Sequence, residues 1–580
     1  MVFSTLKWLH LSIVIVFNYF SVVNSLQIQH HNQILLQEEP QNEKLLNLNV
    51  LENFNIDSIN KEICKQYDYK YPKSFIKDNS TVLNILYNQT FRNQSAKKLS
   101  GAVQIKTDVY DDDPTVEEDP KYWDNKFTPF YNYLNKTFPI IFNNLDVKLI
   151  HKHGIVITWK GSESKLKPIL LMAHQDVVPI QPATLNQWKY PPYKGVYDGE
   201  KLWGRGSSDC KNLLIGLLET IEELYKFEFK PKRTIILGFG FDEEVGGPRG
   251  ASYIANYLLK KFGSNSFYAI FDEGGQSIAE VDGVTLALPG TSEKGSVDIK
   301  VGLNTPGGHS SVPPKHTSIG IISKFISLIE ENSFEPIFSP LNPTYHEYQC
   351  VAKYSKILPK EIKWSILNAQ FPNTNKVARD WIFNNESLTS RYLISSTQAV
   401  DIIRGGVKSN ALPEYVETII NHRIAIEQSV EEIYNHDLVF LKQISDELNL
   451  GLISNNKTIL KPTENGYFEI QQLDGLEPAP NTPTTGKKWE LLSGNIRHVY
   501  EQLSHLGHTI VAPGIATGNT DTKYFWDLTR DIFRYRPGAS TSVENHAHGV
   551  NESILFDSHL QIIAFYFEYL QLINEQDYTD

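Results

Sequence analysis

Cysteine is scarce: Cys64, Cys210 and Cys350 are the only three in a chain of 580 residues. That excludes a scaffold built on disulfides and leaves room for a single bridge. Cys64 and Cys350 are the expected pair, because Cys210 lies inside a polar motif described below and reads as a buried thiol. A basic face is missing as well. The formal net charge is −12, which argues against a nucleic-acid partner, since neutralising phosphates needs clustered Lys and Arg. No internal repeat is visible. The acidic run at 111–119 (DDDPTVEED) lacks the alternating ligands and closing bidentate Glu of a calcium loop, so it reads as a solvated loop. The apolar run Trp8–Val23, interrupted by His10, Ser12 and Asn18, falls short of the ~20 residues a membrane-spanning helix prefers.

What is present begins with that run. Lys7 before it and the small Ser25 after it give the pattern of a signal peptide or signal anchor over residues 1–25, with cleavage favoured. N-x-S/T triplets at Asn79, Asn88, Asn93, Asn135, Asn385 and Asn456 point the same way, towards the secretory pathway. Asn551 also fits the triplet but sits beside the proposed site, where a glycan is hard to accommodate. Residues 26–119 are expected to be an N-terminal extension. Up to about residue 100 it is rich in Gln, Asn and charge, and reads as an arm that is partly disordered or wrapped on the main body.

From about residue 120 the texture is α/β. Short apolar runs at Ile169–Ala173 (ILLMA), Thr234–Phe241 (TIILGFGF) and Phe267–Phe271 (FYAIF) suit buried strands. Helical spacing separates them at Asn212–Tyr225 and Gly250–Phe262. A mixed, mainly parallel sheet covered by helices follows from that alternation. After Gly290 the pattern changes to alternating Val297, Ile299, Val301 and Leu303, then a helix near 318–330, a strand near 417–426 and a helix near 429–448. That order predicts an inserted ferredoxin-like α+β unit. The expected division is a catalytic domain in two segments, 120–290 and 466–580, interrupted by the insertion at 291–465, with stretches near 335–375 and 453–487 read as loops. The last helix, near 555–574, is expected to be amphipathic rather than membrane-spanning.

Polar clusters close the predicted strands, where open α/β sheets place their sites. His174-Gln175-Asp176 follows the first. A neutral His ligates metal, and a nearby carboxylate fixes its tautomer. Asp209 lies in WGRGSSDCKN (203–212) just ahead of a helix, where alone it would read as an N-cap. Asp242-Glu243-Glu244-Val245-Gly246-Gly247 follows the second strand. Adjacent carboxylates there are costly unless a cation neutralises them. Asp272-Glu273-Gly274-Gly275 ends the third strand, and NHAHGVNE (545–552) lies far downstream. Two His and three carboxylates suit a pair of zinc ions sharing one carboxylate.

Taken in this order, the motifs resemble the dinuclear zinc peptidase family that includes carboxypeptidase S, glutamate carboxypeptidase, aminoacylase and acetylornithine deacetylase. LLMAHQDVVP, WGRGSSDCKN, FDEEVGG and FDEGG lie nearest the carboxypeptidase S branch, and the resemblance spans roughly residues 120–575. It implies two Zn2+ per subunit, with His174 and Asp272 on one, Glu244 and His548 on the other, and Asp209 bridging through a cis peptide to Cys210. His548 is preferred to His546 because the family's ligand lies four residues before a Glu, here Glu552. Asp176 is implied to orient His174, and Glu243 to be the general base. In the inserted lid, His309 of PGGHS, Asn410 of SNALP and Arg423 of NHRIAI match substrate-binding positions, as does Gly518 in the loop Gly518-Asn519-Thr520-Asp521. The family often supplies the lid His from a partner subunit or by lid closure, so a homodimer through the lid is a further expectation. The implied activity is a metallo-carboxypeptidase acting on short peptides in a vacuole- or lysosome-like lumen. An N-acyl-amino-acid hydrolase or synthase and a secreted fate are the alternatives, and a catalytically dead binding protein is the remaining one.

Overall fold

The computed structural model describes residues 62–539 and 542–576; the expected signal segment at 1–25 lies outside them. The catalytic layer is an eight-stranded sheet in the order Asp146–Ile150, Gly154–Trp159, Ile235–Gly240, Ile169–His174, Ala269–Asp272, Ile532–Arg534, Gly290–Glu293 and Gly514–Ala516. The three central strands, Ile235–Gly240, Ile169–His174 and Ala269–Asp272, run parallel. They are buried at every position, which is why they read as unbroken apolar runs rather than alternating ones. The first two strands are antiparallel, so the sheet is mixed.

Helices close both faces. Lys211–Lys226 packs against the terminal helix Phe556–Asn574 on one side, and Ala251–Phe262 lies on the other. The terminal helix is buried on almost all sides rather than amphipathic, because the N-terminal helices cover what would be its outer face. Among the described residues no helix is long and apolar enough to cross a membrane.

Residues 62–103 belong to this layer rather than to a loose arm. Ser80–Tyr87 packs on the terminal helix and Gln89–Val103 on Lys211–Lys226. Asn88 caps the second of these N-terminal helices, its Oδ1 accepting from the N–H groups of Thr90 and Phe91. Cys64 is bonded to Cys350, and Cys210 is free and buried. In the acidic run, Asp113 is buried against Lys126 (3.1 Å), while Asp111 and Asp112 are exposed.

The insertion carries a second sheet of six strands, in the order Thr397–Gly405, Tyr415–Ile424, Gly295–Asn304, Tyr467–Gln472, Gly451–Ser454 and Lys457–Leu460. Helices Ser318–Glu331 and Val430–Leu448 cover one face through a separate apolar core. Two stretches read as loops are regular. Residues 451–472 supply three strands, of which Gly451–Ser454 and Lys457–Leu460 lie beyond a four-stranded ferredoxin-like pattern. Between 343 and 393 lie four helices: Pro343–Tyr354, Lys360–Leu367, Pro372–Asn385 and Leu388–Leu393. The first of these is buried on most sides and so shows no apolar stripe. Its real signal was Asn342 as N-cap, with Oδ1 3.0 Å from the Thr344 N–H, ahead of Pro343 at the first helical position.

Candidate metal centre

Three strand ends and two loops converge on one cluster. His174 closes its strand with 1% of its side chain exposed. Its Nδ1 lies 3.0 Å from the carbonyl of Asp176 and 3.3 Å from that residue's Oδ1. Its Nε2 faces Asp209 Oδ1 at 3.2 Å and Glu273 Oε1 at 3.1 Å. The other Asp209 oxygen is 3.1 Å from His548 Nε2, which is also 3.0 Å from Glu244 Oε2. Asp209 therefore stands between the two histidines, one carboxylate oxygen towards each. Glu243 adjoins His174 and Glu244 within the same cluster. The peptide between Asp209 and Cys210 is cis.

The structure puts Glu273, not Asp272, in this ring. Asp272 is the last residue of its strand, and Glu273, the first residue beyond it, reaches His174 from the bend that follows. Asp272 is 2% exposed. Its Oδ1 accepts the N–H of Glu273 at 2.9 Å, and its Oδ2 has no hydrogen-bond partner. His548, itself exposed, rather than His546, reaches Asp209 and Glu244.

The loops are held by residues whose role the sequence did not reveal. Glu552, fully buried, accepts from the N–H groups of Ser208 (2.9 Å) and Asp209 (3.1 Å) and pairs with Arg205 at 2.6 Å. Arg205 also donates to the His548 carbonyl at 3.2 Å. One buried ion pair thus fixes the Asp209 loop to the His548 segment. The visible signal was an Arg in WGRGSSD and a Glu in NHAHGVNE, opposite charges in two motifs of one site. Asp176 Oδ2 accepts the Glu244 N–H at 2.9 Å and so aligns the carboxylate loop as well as His174. Gly247 sits at φ +70, and a Cβ there would come within 2.2 Å of Asp521 Oδ1, which accounts for glycine after the paired glutamates.

The electrostatics are those of too many carboxylates in too little water. Burial first, then neighbouring carboxylates, pushes Glu243, Asp272, Glu273 and Asp521 up, and Glu244 up to about 7. Burial also opposes charge on Asp209, but hydrogen bonds from His174 and His548 outweigh it and hold this carboxyl well below its ordinary range. Hydrogen bonds to Asp209 and Glu244 push His548 up to about 10. Within the ring, the buried Oε1 of Glu244 lacks a hydrogen-bond partner. Two imidazoles and several crowded carboxylates are the donor set that divalent cations take, and their charge would reverse the upward shifts.

The ring opens into a cavity of about 770 Å³. Arg423 and Gly518 line it, as does Asn519. Arg423 Nη1 donates to Asn519 Oδ1 (3.3 Å), and Asn519 Nδ2 donates to the Lys294 carbonyl at 2.6 Å. Asn519 thereby ties the lid guanidinium to the strand that leaves the catalytic sheet. His309 and Asn410 stand elsewhere, on an exposed two-stranded arm where Gly308–His309 pairs with Ala411–Leu412. There Ser311 Oγ lies 2.7 Å from His309 Nδ1.

Comparison with known proteins agrees with this geometry. The model of peptidase family M20/M25/M40 matches residues 170–572. The chain is 44% identical over 504 residues to carboxypeptidase S of Saccharomyces cerevisiae, covering 85% of this chain and 87% of that one. It is 29% identical over 503 residues to the N-fatty-acyl-amino acid synthase/hydrolase PM20D1 of Xenopus tropicalis, covering 84% and 86% respectively. Among solved structures, human carnosine dipeptidase 1 shares the fold with a TM-score of 0.58 at 14% identity, over 87% of this chain and 100% of that one. The M20 family metallo-carboxypeptidase Sso-CP2 of Sulfolobus solfataricus does so with a TM-score of 0.54 at 15% identity, over 83% and 99%. A family match across most of the chain and a relative this similar over nearly its whole length lead to one conclusion: the chain belongs to peptidase family M20/M25/M40.

Proposed function

We propose that the protein is a metallo-carboxypeptidase that releases the C-terminal residue of short peptides. Two zinc ions would be held by His174, Asp209 and Glu273 on one side and by Asp209, Glu244 and His548 on the other. The observation that carries the reading is the Asp209 carboxylate, set 3.2 Å from one imidazole and 3.1 Å from another at the floor of a cavity whose wall carries Arg423. When bound, the metal pair lowers the pKa of water and polarises the scissile carbonyl.

The chain's own side chains do the rest. Glu243 takes a proton from the attacking water on its carboxylate and delivers it to the nitrogen of the leaving amino acid. Burial, which raises its pKa, suits a base that must also act as an acid. Asp176 holds the imidazole of His174, and the Arg205–Glu552 pair holds the Asp209 loop. Arg423 receives the substrate's terminal carboxylate in its bidentate fork, with Asn519 setting its aim. His309 and Asn410 enter on lid closure or from a second copy pairing through the lid, since neither lines the cavity.

We place the protein in the lumen of the secretory pathway, vacuole- or lysosome-like. The Cys64–Cys350 bridge fits an oxidising compartment. Asn79, Asn93, Asn135, Asn385 and Asn456 are exposed and open to glycosylation, as is Asn88 beyond its capping bonds. Asn551 is half-buried, and its Nδ2, the atom a glycan would take, donates to the Gln187 carbonyl at 3.4 Å.

The similarity to the N-fatty-acyl-amino acid synthase/hydrolase keeps a second reading in view: the same chemistry on N-acyl amino acids. The test is release of free amino acid from N-blocked dipeptides, with chelator and with zinc restored. Chelator-sensitive release that Glu243→Gln abolishes while retaining two zinc ions supports the reading. Activity in Glu243→Gln near the wild-type rate overturns the base, and release insensitive to chelator overturns the metal.

A further inference from the structure

The metal-facing side chains border two adjoining cavities. One is the 770 Å³ space with Arg423. The other, of about 260 Å³, shares Asp209, Glu273, Gly274, Ala516 and Gly518 with it. The outer wall of this smaller space does not come from the catalytic sheet. Thr389 and Leu393 supply it, from the helix Leu388–Leu393 that ends the four-helix insertion. Ile515, Ala516 and Arg536 line it as well, Arg536 donating from Nη1 to the Ser208 carbonyl.

We infer that the smaller cavity receives the acyl side of the substrate, and that the helical insertion, through Thr389 and Leu393, sets the upper limit on the acyl group this enzyme accepts. The inference rests on the carboxypeptidase reading. If Arg423 holds the terminal carboxylate in the larger cavity, the scissile carbonyl lies at the ring and the acyl portion continues into the smaller one.

The wall is braced. Lys294, fully buried, donates from Nζ to the carbonyls of Tyr392 (2.9 Å) and Ser395 (2.6 Å), on either side of Leu393. Asn342 Nδ2 donates to the carbonyl of Leu393 itself at 3.0 Å. At its other end the insertion is bonded covalently to the N-terminal segment through Cys350 and Cys64. Moving the wall outward would strand the buried Nζ of Lys294 without these acceptors, a costly state. A space of 260 Å³ is below the ~300 Å³ at which cavities for drug-sized ligands begin. It holds an amino-acid side chain within its walls, whereas an extended fatty-acyl tail would have to run out past the exposed Thr389. The acyl-side wall therefore favours peptides over N-fatty-acyl amino acids, and it does so with residues far in sequence from every metal-facing group.

The experiment uses the zinc-loaded full chain and compares kcat/KM for N-acetyl-X-leucine, with X as Gly, Leu or Trp, and for N-palmitoyl-leucine. Thr389→Trp fills the rim from an exposed position and so carries little folding risk; Leu393→Ala widens the wall from within. The wild type should favour the acetylated dipeptides over palmitoyl-leucine by about 100-fold or more, the scale on which a shaped apolar pocket discriminates. Thr389→Trp should lower kcat/KM for X = Leu and Trp about tenfold while leaving X = Gly within about twofold, and Leu393→Ala should raise it for X = Trp. Equal effects of each variant on all X, or wild-type hydrolysis of palmitoyl-leucine as fast as the dipeptides, would overturn the inference with the carboxypeptidase chemistry still standing. No release from any blocked dipeptide by the zinc-loaded wild type would remove that chemistry, and this inference with it.

Discussion

Exchanging the two neighbouring acids at the end of the strand Ala269–Asp272, one at a time, separates a ligand from a bystander. Around His174 Nε2, Asp209 at 3.2 Å and Glu273 at 3.1 Å are the carboxylates within ion-pair distance among the described residues. Glu273→Gln removes one of them and leaves that half of the centre with an imidazole and a carboxylate it must share. Loss of an outer-sphere partner alone costs about 10–100-fold in metal affinity or activity, so loss of an inner ligand should exceed that. Zinc should fall from two per chain to one after gel filtration. Asp272→Asn keeps an oxygen that can accept the Glu273 N–H now bonded at 2.9 Å, and its other oxygen has no partner to lose. The cost is one weakened hydrogen bond, about 1 kcal/mol or roughly fivefold in kcat/KM, with both metals kept. Elemental analysis for zinc and initial rates on a blocked dipeptide read both effects. The reverse pattern, metal lost in Asp272→Asn and kept in Glu273→Gln, would refute the assignment made from the geometry.

Other outcomes follow from the same structure. Asn519→Ala frees the guanidinium of Arg423 from its 3.3 Å anchor; KM for blocked dipeptides should rise about fivefold, the worth of one hydrogen bond, with kcat nearly unchanged and zinc content intact, and an equal fall in kcat would contradict a positioning role. In the metal-free protein, Glu244 is pushed up to about 7 from an ordinary 4.5, so the folded state holds its proton more tightly than the unfolded chain. Stability from this group is complete below about pH 4.5 and is lost as pH rises towards 7. Thermal unfolding in chelator should therefore occur at lower temperature at pH 7 than at pH 5, and zinc should close most of that gap; a chelated protein more stable at pH 7 would refute it. Replacing both Cys64 and Cys350 with Ser should lower stability by about 2–4 kcal/mol and expose the 343–393 helices to limited proteolysis first, because the bridge joins that insertion to the N-terminal segment across 286 residues.

Much of the architecture was legible because the signals are local. ILLMA, TIILGFGF and FYAIF are buried on both faces, and burial of that kind leaves an unbroken apolar run. The insertion's alternating Val297, Ile299, Val301 and Leu303 face a core on one side, and period two records it. Elsewhere the pattern is blurred by crowding. The helix Pro343–Tyr354 is enclosed on most sides, so its composition has no polar face to mark it. The helices of 73–103 carry many exposed Gln, Asn and Lys, and their few buried positions, such as Leu99 and Val103, gain meaning only against the helix they cover.

The sequence by itself determined which residue types gather at the strand ends: the paired acids Glu243-Glu244 and Asp272-Glu273 after buried strands demand a counter-charge, whereas His174, Asp209 and His548 were singled out by the resemblance of their motifs to the peptidase family. Tertiary structure alone decided which of two adjacent acids faces His174, since Asp272 and Glu273 are chemically alike and differ only in the direction their strand end gives them. It alone decided that Arg423 reaches the larger cavity while His309 and Asn410 do not, and that a helix from 388–393 lines the smaller one. Composition and spacing are properties of neighbours along the chain, whereas facing and enclosure depend on partners hundreds of residues away.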